Sequence, residues 1–534
     1  MRTEHHQQSG GISRRQFLGA LGLGAVALGT SSVLPGQAQQ RFVLSADRFG
    51  RLFPQLPAFF DQATESLRGA MREMGQEGGI LDAKDALDQG PILLLTNPAL
   101  SVHNPNHPKH TAGTTFMGQF MDHDMTFDLT SRLGVPTPPE DAVNTRTPAL
   151  DLDSVYGGGP DADPDLYTFE RGHAPTFKIG FGGLFEDLPR TSNNTAIIAD
   201  PRNDENLMLA GLHAAFLLFH NQAVAYLEER DPRASPDEVF RAARRLTRWH
   251  YQWLILHEFL PLFIGQARVD DLLSQGRQVY RPREAFMPVE FQGAAYRFGH
   301  TLVRPSYRAN LAGDQGAPFF GMIFDPAGQG RADPVDLRGG ARAPRRFIGW
   351  QTFFDFGPTF TDGPDNPHPA IRTNKKVDTH ISTPLFHLPL AAIASGDPPI
   401  SLPQRNLLRH ITWSLPSGQH IARAMQLPAS QVLSSRDLSE LRPFGHRLDE
   451  STPLWYYVLK EAQVMEDGLG LGPVGGGIVG EVILGLLQLD PRAYLAVAPR
   501  WRPTLPTRSG RVTGDFTMID FLTFAGVAPD QRSQ

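Results

Sequence analysis

Gly118-Gln119-Phe120-Met121-Asp122-His123-Asp124 places one histidine between two carboxylates, four residues after an amide, in a segment that is otherwise mostly apolar. A charged group in apolar surroundings must be paired, neutralised or bound to a metal, because isolated burial of charge is costly. A lone histidine would be interpreted as a hydrogen-bonded residue of a helix. The flanking acids and the amide indicate a functional site instead.

A helix over this heptapeptide, capped by Thr114 or Thr115, would place Gln119 and His123 on one face, because residues i and i+4 lie one turn apart. Successive residues of a helix are turned by about 100°. The aspartates on either side of the histidine would therefore point in two other directions. One turn of helix would make three separate polar contacts.

The composition is that of an ordinary globular protein, and it excludes several functions. The chain has 534 residues, 40% of them hydrophobic and 20% charged, which suffices for a large core. A formal net charge of -6 without a basic run argues against nucleic acid as a partner. The absence of cysteine excludes disulfides, iron–sulfur clusters and thiolate-bound haem, so any redox chemistry needs a cofactor with other ligands.

The first 38 residues have the pattern of an export signal. Ser13-Arg14-Arg15-Gln16-Phe17-Leu18 begins an apolar, Gly- and Ala-rich run to Leu34, and Gly36-Gln37-Ala38 is a small-x-small cleavage site. The paired arginines resemble a twin-arginine signal, with a plain Sec signal or a membrane anchor as the alternative. Residues 1–38 are predicted to engage the twin-arginine export machinery. The mature protein is expected to be periplasmic or secreted, without a stable membrane span.

Oxygen donors alternate in an acid-rich loop that follows the heptapeptide. Thr147, Asp151 and Asp153 bear them, with the carbonyl of Ala149 between. Calcium takes about six to eight oxygen ligands of these kinds. Acid-rich turns are usually only solvated, but Asp124 can supply a further carboxylate. The loop is therefore a candidate calcium site.

A long helix is predicted over residues 207 to about 229, with apolar residues nearly all round, which indicates a central buried helix. Asp200 or Asn203 is the expected cap. Arg202 and Glu205 project from its first turn on one side.

A second long helix, amphipathic, is predicted over residues 236–263, and a shorter helical pattern covers residues 58–73. Four histidines of the two long helices are interpreted as core or packing residues: His213, His220, His250 and His257. The last two lack the i, i+4 spacing of a helical zinc site.

Residues 295–305 form an apolar helical segment in which His300 follows a glycine, and glycine lets a flat group approach the backbone. Because His300 and His123 are 300 − 123 = 177 residues apart, only the fold can bring them together. Asn406 places an amide in a later apolar segment, ahead of a helix start at residues 415–417. The glycines at 470, 472 and 475 fit a dinucleotide fingerprint formally, but a helix precedes them where a strand is needed, so a turn between helices is predicted.

In residue identity and in order, these segments resemble the animal haem peroxidases of the peroxidase–cyclooxygenase superfamily, and in particular a bacterial, exported member. The resemblance covers about residues 49–489. It is carried by five motifs: Gly118 to Asp124, the Asp-Leu-Asp-Ser-Val-Tyr-Gly loop at 151–157, Asp200-Pro201-Arg202 with Glu205, Phe219-His220-Asn221, and Arg297-Phe298-Gly299-His300-Thr301-Leu302.

The resemblance implies a mainly α fold: one large helical haem-peroxidase domain with long loops and few short strands. That catalytic domain would cover residues 101–490. An N-terminal arm and first helix at 39–100 would pack on it, and residues 491–534 would form a C-terminal tail.

The resemblance also implies the roles of the site residues. His123 would be the distal base with Gln119 beside it, and Arg202 the distal arginine. His300 would be the axial iron ligand of haem b, and Asn406 its hydrogen-bond partner. Between Asn406 and the helix start, most of the family's motif is replaced, and only Arg409 of it is retained.

Around the haem edge, Arg297 would pair with a propionate, and Asp122 and Glu205 would be carboxylates that can form ester links to the haem. The calcium ligands would be Asp124, Thr147, Ala149, Asp151 and Asp153.

The implied function is a peroxidase that reduces hydrogen peroxide and oxidises a small-molecule electron donor, halide, thiocyanate or aromatic, through an oxo-iron intermediate. Cleaving the O–O bond needs a base and a cation, which His123 and Arg202 supply. Neither Asn206 nor Leu207 is the methionine that makes a sulfonium haem link in one branch of the family. Bromide, iodide, thiocyanate or phenols are therefore favoured over chloride.

Two other functions remain open. A haem fatty-acid dioxygenase of the same superfamily needs a tyrosine three residues before the axial histidine, where this chain has Arg297, with Tyr296 one residue further away. A haem-bearing adhesion or binding protein without turnover is disfavoured by the presence of Gln119, His123 and Arg202.

Overall fold

The computed structural model describes residues 47–182, 185–313, 316–328, 330–331, 333–340, 345–357, 371–393 and 395–532. The predicted export signal, residues 1–38, lies outside these ranges. Within them the fold is mainly α-helical, as the sequence predicts. The α-helices are α1 (Glu65–Met74), α2 (Gly90–Thr96), α3 (Gly113–Met125), α4 (Asp153–Tyr156), α5 (Leu207–Arg230), α6 (Pro236–Leu254), α7 (Leu260–Ile264), α8 (Gln266–Gln275), α9 (Val289–Gln292), α10 (Gly299–Leu302), α11 (Leu402–Thr412), α12 (Gly418–Ala424), α13 (Leu454–Met465), α14 (Pro473–Leu489), α15 (Tyr494–Val497) and α16 (Met518–Phe524).

The strands are short and, in the described residues, form only two-stranded sheets. They are β1 (Phe49–Gly50), β2 (Asn106–Thr111), β3 (Tyr167–Thr168), β4 (Thr176–Phe177), β5 (Gly180–Gly182), β6 (Phe185–Asp187), β7 (Met287–Pro288), β8 (Ser306–Arg308), β9 (Phe320–Met322) and β10 (Thr373–Lys375). β1 runs parallel to β7, whereas β2–β10, β3–β4, β5–β6 and β8–β9 are antiparallel. Such small sheets tie loops together and leave the core to the helices.

The N-terminal arm is held by β1 and by Glu290, whose carboxylate accepts hydrogen bonds from the backbone N–H groups of Leu52 and Phe53. α1 begins at Glu65, later than the predicted start at residue 58. Thr64 is extended and its hydroxyl accepts from the backbone N–H of Leu67, so this residue caps the helix.

α5 is the central helix, buried along most of its length. Its predicted cap was wrong: Asn206 caps it by accepting from the backbone N–H of Leu209, whereas Asp200 caps a preceding 3-10 turn, Pro201–Asp204. In the described residues α5 is the one helix long and apolar enough to cross a membrane, and 83% of its apolar window is buried inside the protein. That degree of burial is typical of a core helix.

α3 carries the heptapeptide, and its predicted cap was also wrong. The helix begins at Gly113, and the hydroxyls of Thr114 and Thr115 donate instead to the backbone carbonyl of Thr111 and to Asn374. A Cβ atom on Gly113 would lie 2.3 Å from the ring of Phe354, so this tight start needs glycine.

The predicted helix over residues 236–263 is interrupted. α6 ends at Leu254, a π-turn follows at Ile255–Phe259, and α7 continues the direction of the chain. π-turns occur frequently at functional sites. Here the turn directs Phe259 towards the cavity described below.

The segment around His300 is less regular than predicted. A 3-10 turn, Ala295–Phe298, leads into the single turn of α10, and the backbone is extended at Val303, ahead of Arg304-Pro305. Gly470 and Gly472 lie between α13 and α14, as predicted, whereas Gly475 lies in the first turn of α14. The element before these glycines is a helix, not a strand.

Candidate active site

One cavity of about 870 Å³ collects most of the residues that the sequence nominated. Its volume is within the range of pockets for small molecules and cofactors, about 300–1,000 Å³. α3, the turn before α5, the segment around α10, and α11 contribute to its walls. The nominated residues that line it are Gln119, Asp122, His123, Arg202, Glu205, Arg297 and His300.

His123 is buried, and its ring is oriented by an amide. Its Nδ1–H donates to Oδ1 of Asn203 over 2.9 Å, which leaves the lone pair on Nε2. Burial, with Arg202 adding to it, lowers the pKa of His123 to about 3. The imidazole is therefore neutral at neutral pH and can act as a base.

Arg202 is a fixed cation beside this base. Its Nε and Nη2 donate to the carboxylate of Asp200 over 3.1 and 2.8 Å, and Nη2 also donates to the backbone carbonyl of His123 over 3.0 Å. The guanidinium lies 3.9 Å from the ring centroid of Phe127. Burial opposes its charge, but Asp200 more than offsets this and raises the pKa of Arg202. The arginine stays charged and cannot swing freely.

Gln119 and His123 share the cavity face of α3, as predicted. Nε2 of Gln119 donates to Glu205 over 3.2 Å, and Oε1 accepts from Asn206 over 3.3 Å. Burial raises the pKa of Glu205 to about 7 and raises that of Asp122 as well. Both carboxyl groups therefore tend towards the neutral form.

His300 lies across the cavity, on α10, with Asn406 of α11 behind it. Nδ2 of Asn406 is 2.8 Å from Nδ1 of His300, and Oδ1 accepts from Nη1 of Arg297 over 3.2 Å. Burial, with Arg297 adding to it, lowers the pKa of His300 to about 3. Burial and Arg409 lower the pKa of Arg297 to about 9, which keeps it cationic at neutral pH. A neutral imidazole and a cation thus stand together on this side.

Two more arginines line the cavity near Arg297, namely Arg405 and Arg409. Arg409 forms an ion pair of 3.0 Å with Asp128, in the loop after α3. The sequence nominated Arg409 only as a remnant of a motif and missed Asp128. The cavity wall here has more positive than negative side chains.

The acids of the candidate calcium loop converge on Asp124, outside the cavity. Oxygens of Asp124, Asp151 and Asp153 all lie within 4.8 Å of one another, and all three residues are buried. Burial raises the pKa of Asp124 well above its usual value, and the two other aspartates raise it further. The hydroxyl of Thr147 donates to Asp153 over 3.3 Å, and the backbone N–H of Ala149 donates to the carbonyl of Thr147. Three adjacent acids in the core need a cation or a proton.

Arg146 connects this cluster to the cavity. Its Nη1 lies 3.6 Å from Asp153 and its Nε 2.8 Å from Asp200, the partner of Arg202. Its position was not predictable from the sequence, because an arginine in a loop has no local pattern that reveals two distant partners.

Asn203 was nominated only as a helix cap, and it contacts His123 instead. Its position next to Arg202 in a turn was the available signal, since neighbours in a tight turn can reach one site together. The helix-core histidines behave as predicted: His213 contacts Asn203, His220 contacts the hydroxyl of Tyr156, and His250 contacts the carbonyl of Leu246.

Residues 129–327 match a family described as animal haem peroxidase. The match includes Arg202, Glu205, Arg297 and His300, four of the residues that the fold brings to one cavity. This part of the chain is similar to the animal haem peroxidase family. The match begins after α3 and ends at residue 327, so the heptapeptide and Asn406 both lie outside it.

Known peroxidases are similar to this chain over part of their length. A chorion peroxidase of Aedes aegypti is 30% identical over 174 residues, which are 30% of this chain and 22% of that protein. An eosinophil peroxidase of Mus musculus is 30% identical over 183 residues, 32% of this chain and 25% of that protein. The chain thus spans about a quarter of the length of these relatives.

Solved structures share the fold over most of the chain. Peroxidase A from Dictyostelium discoideum has 16% sequence identity and a TM-score of 0.56, and the match covers 84% of this chain and 88% of that one. A fatty acid alpha-dioxygenase from Oryza sativa has 16% identity and a TM-score of 0.50, with 73% and 70% covered. At such identities the similarity shows the helical haem peroxidase fold alone.

Proposed function

We propose that the protein is a haem-dependent peroxidase that reduces hydrogen peroxide and oxidises halide, thiocyanate or small aromatic donors. One observation carries the proposal: a neutral histidine and a fixed arginine, His123 and Arg202, line the same cavity as a second neutral histidine, His300. A base and a cation are the groups that O–O cleavage needs from the protein.

The residues present fit a haem. The neutral imidazole of His300 is the kind of ligand that haem iron takes. A half-turn of the Asn406 amide would present its oxygen to the Nδ1–H of His300, which leaves Nε2 for iron and increases its basicity. Arg297, Arg405 and Arg409 can pair with propionates. Bound haem would supply the iron that exchanges electrons with peroxide and with the donor.

The chain's own residues would move the proton of peroxide. Nε2 of His123 accepts a proton from one peroxide oxygen and returns it to the other, which leaves as water. Arg202 stabilises the negative charge that develops on the departing oxygen, and its bonds to Asp200 hold it ready. Gln119 is near enough to orient peroxide, because it lines the same face of α3.

Asp122 and Glu205 are proposed as the ester-forming carboxyl groups. Their raised pKa values support this, since a carboxyl group buried against a porphyrin is easier to keep when neutral or esterified. Mass spectrometry of the haem after acid extraction, before and after peroxide treatment, tests it. Free haem in both samples would contradict the proposal.

A calcium ion is proposed between Asp124, Asp151 and Asp153, with Thr147 and Ala149 completing the loop. The mutual distances within 4.8 Å support it, because carboxylate oxygens that share one calcium ligate it at about 2.3–2.6 Å. The three acids are thus close enough to share one ion.

The proposal also covers the electron donor, the cellular location of the protein and the limits of its catalytic domain. The residue after Glu205 is Asn206, which donates to Gln119, and not the methionine that makes the sulfonium haem link. Bromide, iodide, thiocyanate or phenols are therefore expected as donors before chloride. Export through the twin-arginine machinery, to the periplasm or the medium, is predicted from residues 1–38. The catalytic domain is proposed over residues 101–490.

Absorbance of the purified haem-loaded protein, mixed rapidly with hydrogen peroxide, tests the main proposal. The Soret band of the wild type should shift within the mixing experiment, and His123→Ala should slow the shift by about 10²–10⁴-fold, the usual contribution of a general acid–base group. His220→Phe is the matched control, since it changes a buried histidine that contacts Tyr156 outside the cavity. It should react as the wild type does.

Oxygen uptake with linoleate instead of a peroxide reaction would show a dioxygenase and refute the proposal. The contacts of Tyr296 argue against that outcome. Its hydroxyl donates to the carbonyl of Gly118 over 3.0 Å and its ring stacks on Phe291, which fixes the phenol beside α3. Haem binding without either reaction would show a binding protein.

A further inference from the structure

We propose that Asn203 is the positioning residue of His123, and that His213 in turn holds Asn203. The inference rests on the proposed function and adds a pair of residues to it. Oδ1 of Asn203 faces Nδ1 of His123 at 2.9 Å, and Nδ2 of the same amide faces Nδ1 of His213 at 2.9 Å. The three side chains form one line from the cavity into the core.

The chemistry of the amide determines the proton positions along this line. An amide oxygen only accepts and an amide nitrogen only donates. His123 must therefore carry its proton on Nδ1, which keeps Nε2 free for peroxide. His213 must accept at Nδ1 and carry its own proton on Nε2. The amide of Asn203 therefore determines which ring nitrogen carries the proton in both histidines.

The backbone around Asn203 makes the contact rigid. Asp200 caps the 3-10 turn Pro201–Asp204, and this turn presents Arg202 and Asn203 side by side. Arg202 donates to the backbone carbonyl of His123 while Asn203 accepts from its ring. The turn thus holds the catalytic histidine at two points.

Both partners of His123 in this line are inaccessible to solvent, since Asn203 and His213 are each 0% exposed. Nε2 of His213 finds no hydrogen-bond partner in the described part of the chain. An unpaired buried donor costs about 1–3 kcal/mol. The rest of the segment 207–219 is apolar, and an apolar residue at position 213 would avoid that cost. The role that explains the histidine here is to orient Asn203.

Three substitutions separate positioning from general stability. Asn203→Leu keeps the approximate volume and removes both hydrogen bonds. Asn203→Asp keeps the acceptor oxygen towards His123. His213→Phe removes the anchor of the amide and leaves Asn203 in place. His220→Phe, two turns further along α5, is the control for loss of a buried histidine.

The first readout does not depend on turnover. In the haem-loaded, cyanide-bound protein with ¹⁵N-labelled histidine, NMR should show a protonated Nδ1 on His123. The signal should persist in Asn203→Asp and in His220→Phe and should be lost or broadened in Asn203→Leu. A wild type in which Nδ1 of His123 carries no proton would overturn the inference, whatever the activity.

The second readout is the rate of reaction with peroxide, measured separately from the rate of donor oxidation. Asn203→Leu should slow the peroxide step about 100-fold or more, the lower end of an acid–base contribution, and leave the donor step within about twofold. Asn203→Asp should recover most of the loss, and His213→Phe should show a smaller loss in the same direction.

The outcomes distinguish this inference from the proposed function. A wild type that binds haem but does not react with peroxide refutes the function. A reactive wild type whose Asn203→Leu variant folds, binds haem and reacts equally fast refutes the positioning role alone. Equal losses of the peroxide rate in His213→Phe and His220→Phe would also refute the positioning role. Such losses would come from disturbed core packing and not from the hydrogen bonds that lead to His123.

Discussion

Asp124→Asn should remove most of the stabilisation that the proposed calcium ion gives to the fold. Asp124, Asp151 and Asp153 have oxygens within 4.8 Å of one another. At that separation each ionised pair repels by about 3.5 kcal/mol in an effective dielectric of about 20. Ionisation of all three without a cation would therefore cost about 10 kcal/mol, before the neighbouring arginines are considered.

A proton on Asp124 is the cheaper solution when calcium is absent. Protonating, at pH 7, a carboxylate whose ordinary pKa is about 3.9 costs about 4 kcal/mol. Excess calcium at about 1,000 times its Kd stabilises by a similar amount, about 4 kcal/mol. The wild type should therefore gain about 4 kcal/mol in unfolding free energy when chelator is replaced by calcium.

The variant should respond differently in the two buffers. In chelator, the unfolding free energy of the variant should match that of the wild type within about 2 kcal/mol. The variant is relieved of the repulsion between carboxylates, but its amide N–H faces the backbone N–H of Leu152, and this mismatch costs about 1–3 kcal/mol. In calcium it should gain less than about 1 kcal/mol, because a divalent ion loses one of its three carboxylates.

Urea unfolding at pH 7.5, with and without calcium, measures these increments. Asp128→Asn is the control: this carboxylate lies just beyond α3 and pairs with Arg409, so its variant should lose stability equally in both buffers and keep the calcium increment. A wild type indifferent to calcium, or an equal increment in Asp124→Asn, would refute the reasoning.

Further predictions concern groups away from the cavity. Burial raises the pKa of Glu461 to about 7 from an ordinary 4.5, so its contribution to stability is present below about pH 4.5 and is lost as pH rises through 7. The unfolding free energy of the wild type should therefore fall by about 3 kcal/mol more than that of Glu461→Gln between pH 5 and pH 8. An equal fall in the two proteins would contradict this. Gly418→Ala should cost about 2 kcal/mol or more in urea unfolding, because its Cβ would lie 2.0 Å from Cγ of Tyr457. In α1, no atom lies within 4 Å of a Cβ added at Gly69, so Gly69→Ala should instead raise the unfolding free energy by about 0.5–1 kcal/mol. A loss of stability in this variant would contradict the prediction.

The sequence predicted the long helices well because their signal is local. α5 ends within a residue of its predicted limit, since an apolar run is sufficient to define a buried helix. The predicted cap of α3 was wrong because that helix begins without any side-chain cap. The predicted cap of α5 was wrong because several polar residues competed within a few positions. Asn206, Asn203 and Asp200 all have side chains that can cap, and only the tertiary structure decides which of them does.

The candidate site was predictable where residues occur in motifs, and not where pairs are distant in sequence. The cavity residues of the heptapeptide and of the segment around His300 were found by residue type and order. Asp128 and Arg409 form a pair across 281 residues, and neither has a local pattern that reveals the other. The contact of Asn203 with His123 was missed for the same reason, although Arg202 beside it was identified.

Arg146 is one positive charge between two sets of negative ones, 3.6 Å from Asp153 and 2.8 Å from Asp200. A single guanidinium cannot fully neutralise both sides. When a divalent ion satisfies the acids on one side, the arginine is released to neutralise Asp200, and Asp200 then attracts Arg202 less strongly. Under the proposed function, occupancy of the proposed calcium site would thereby change the electric field around Arg202 in the cavity.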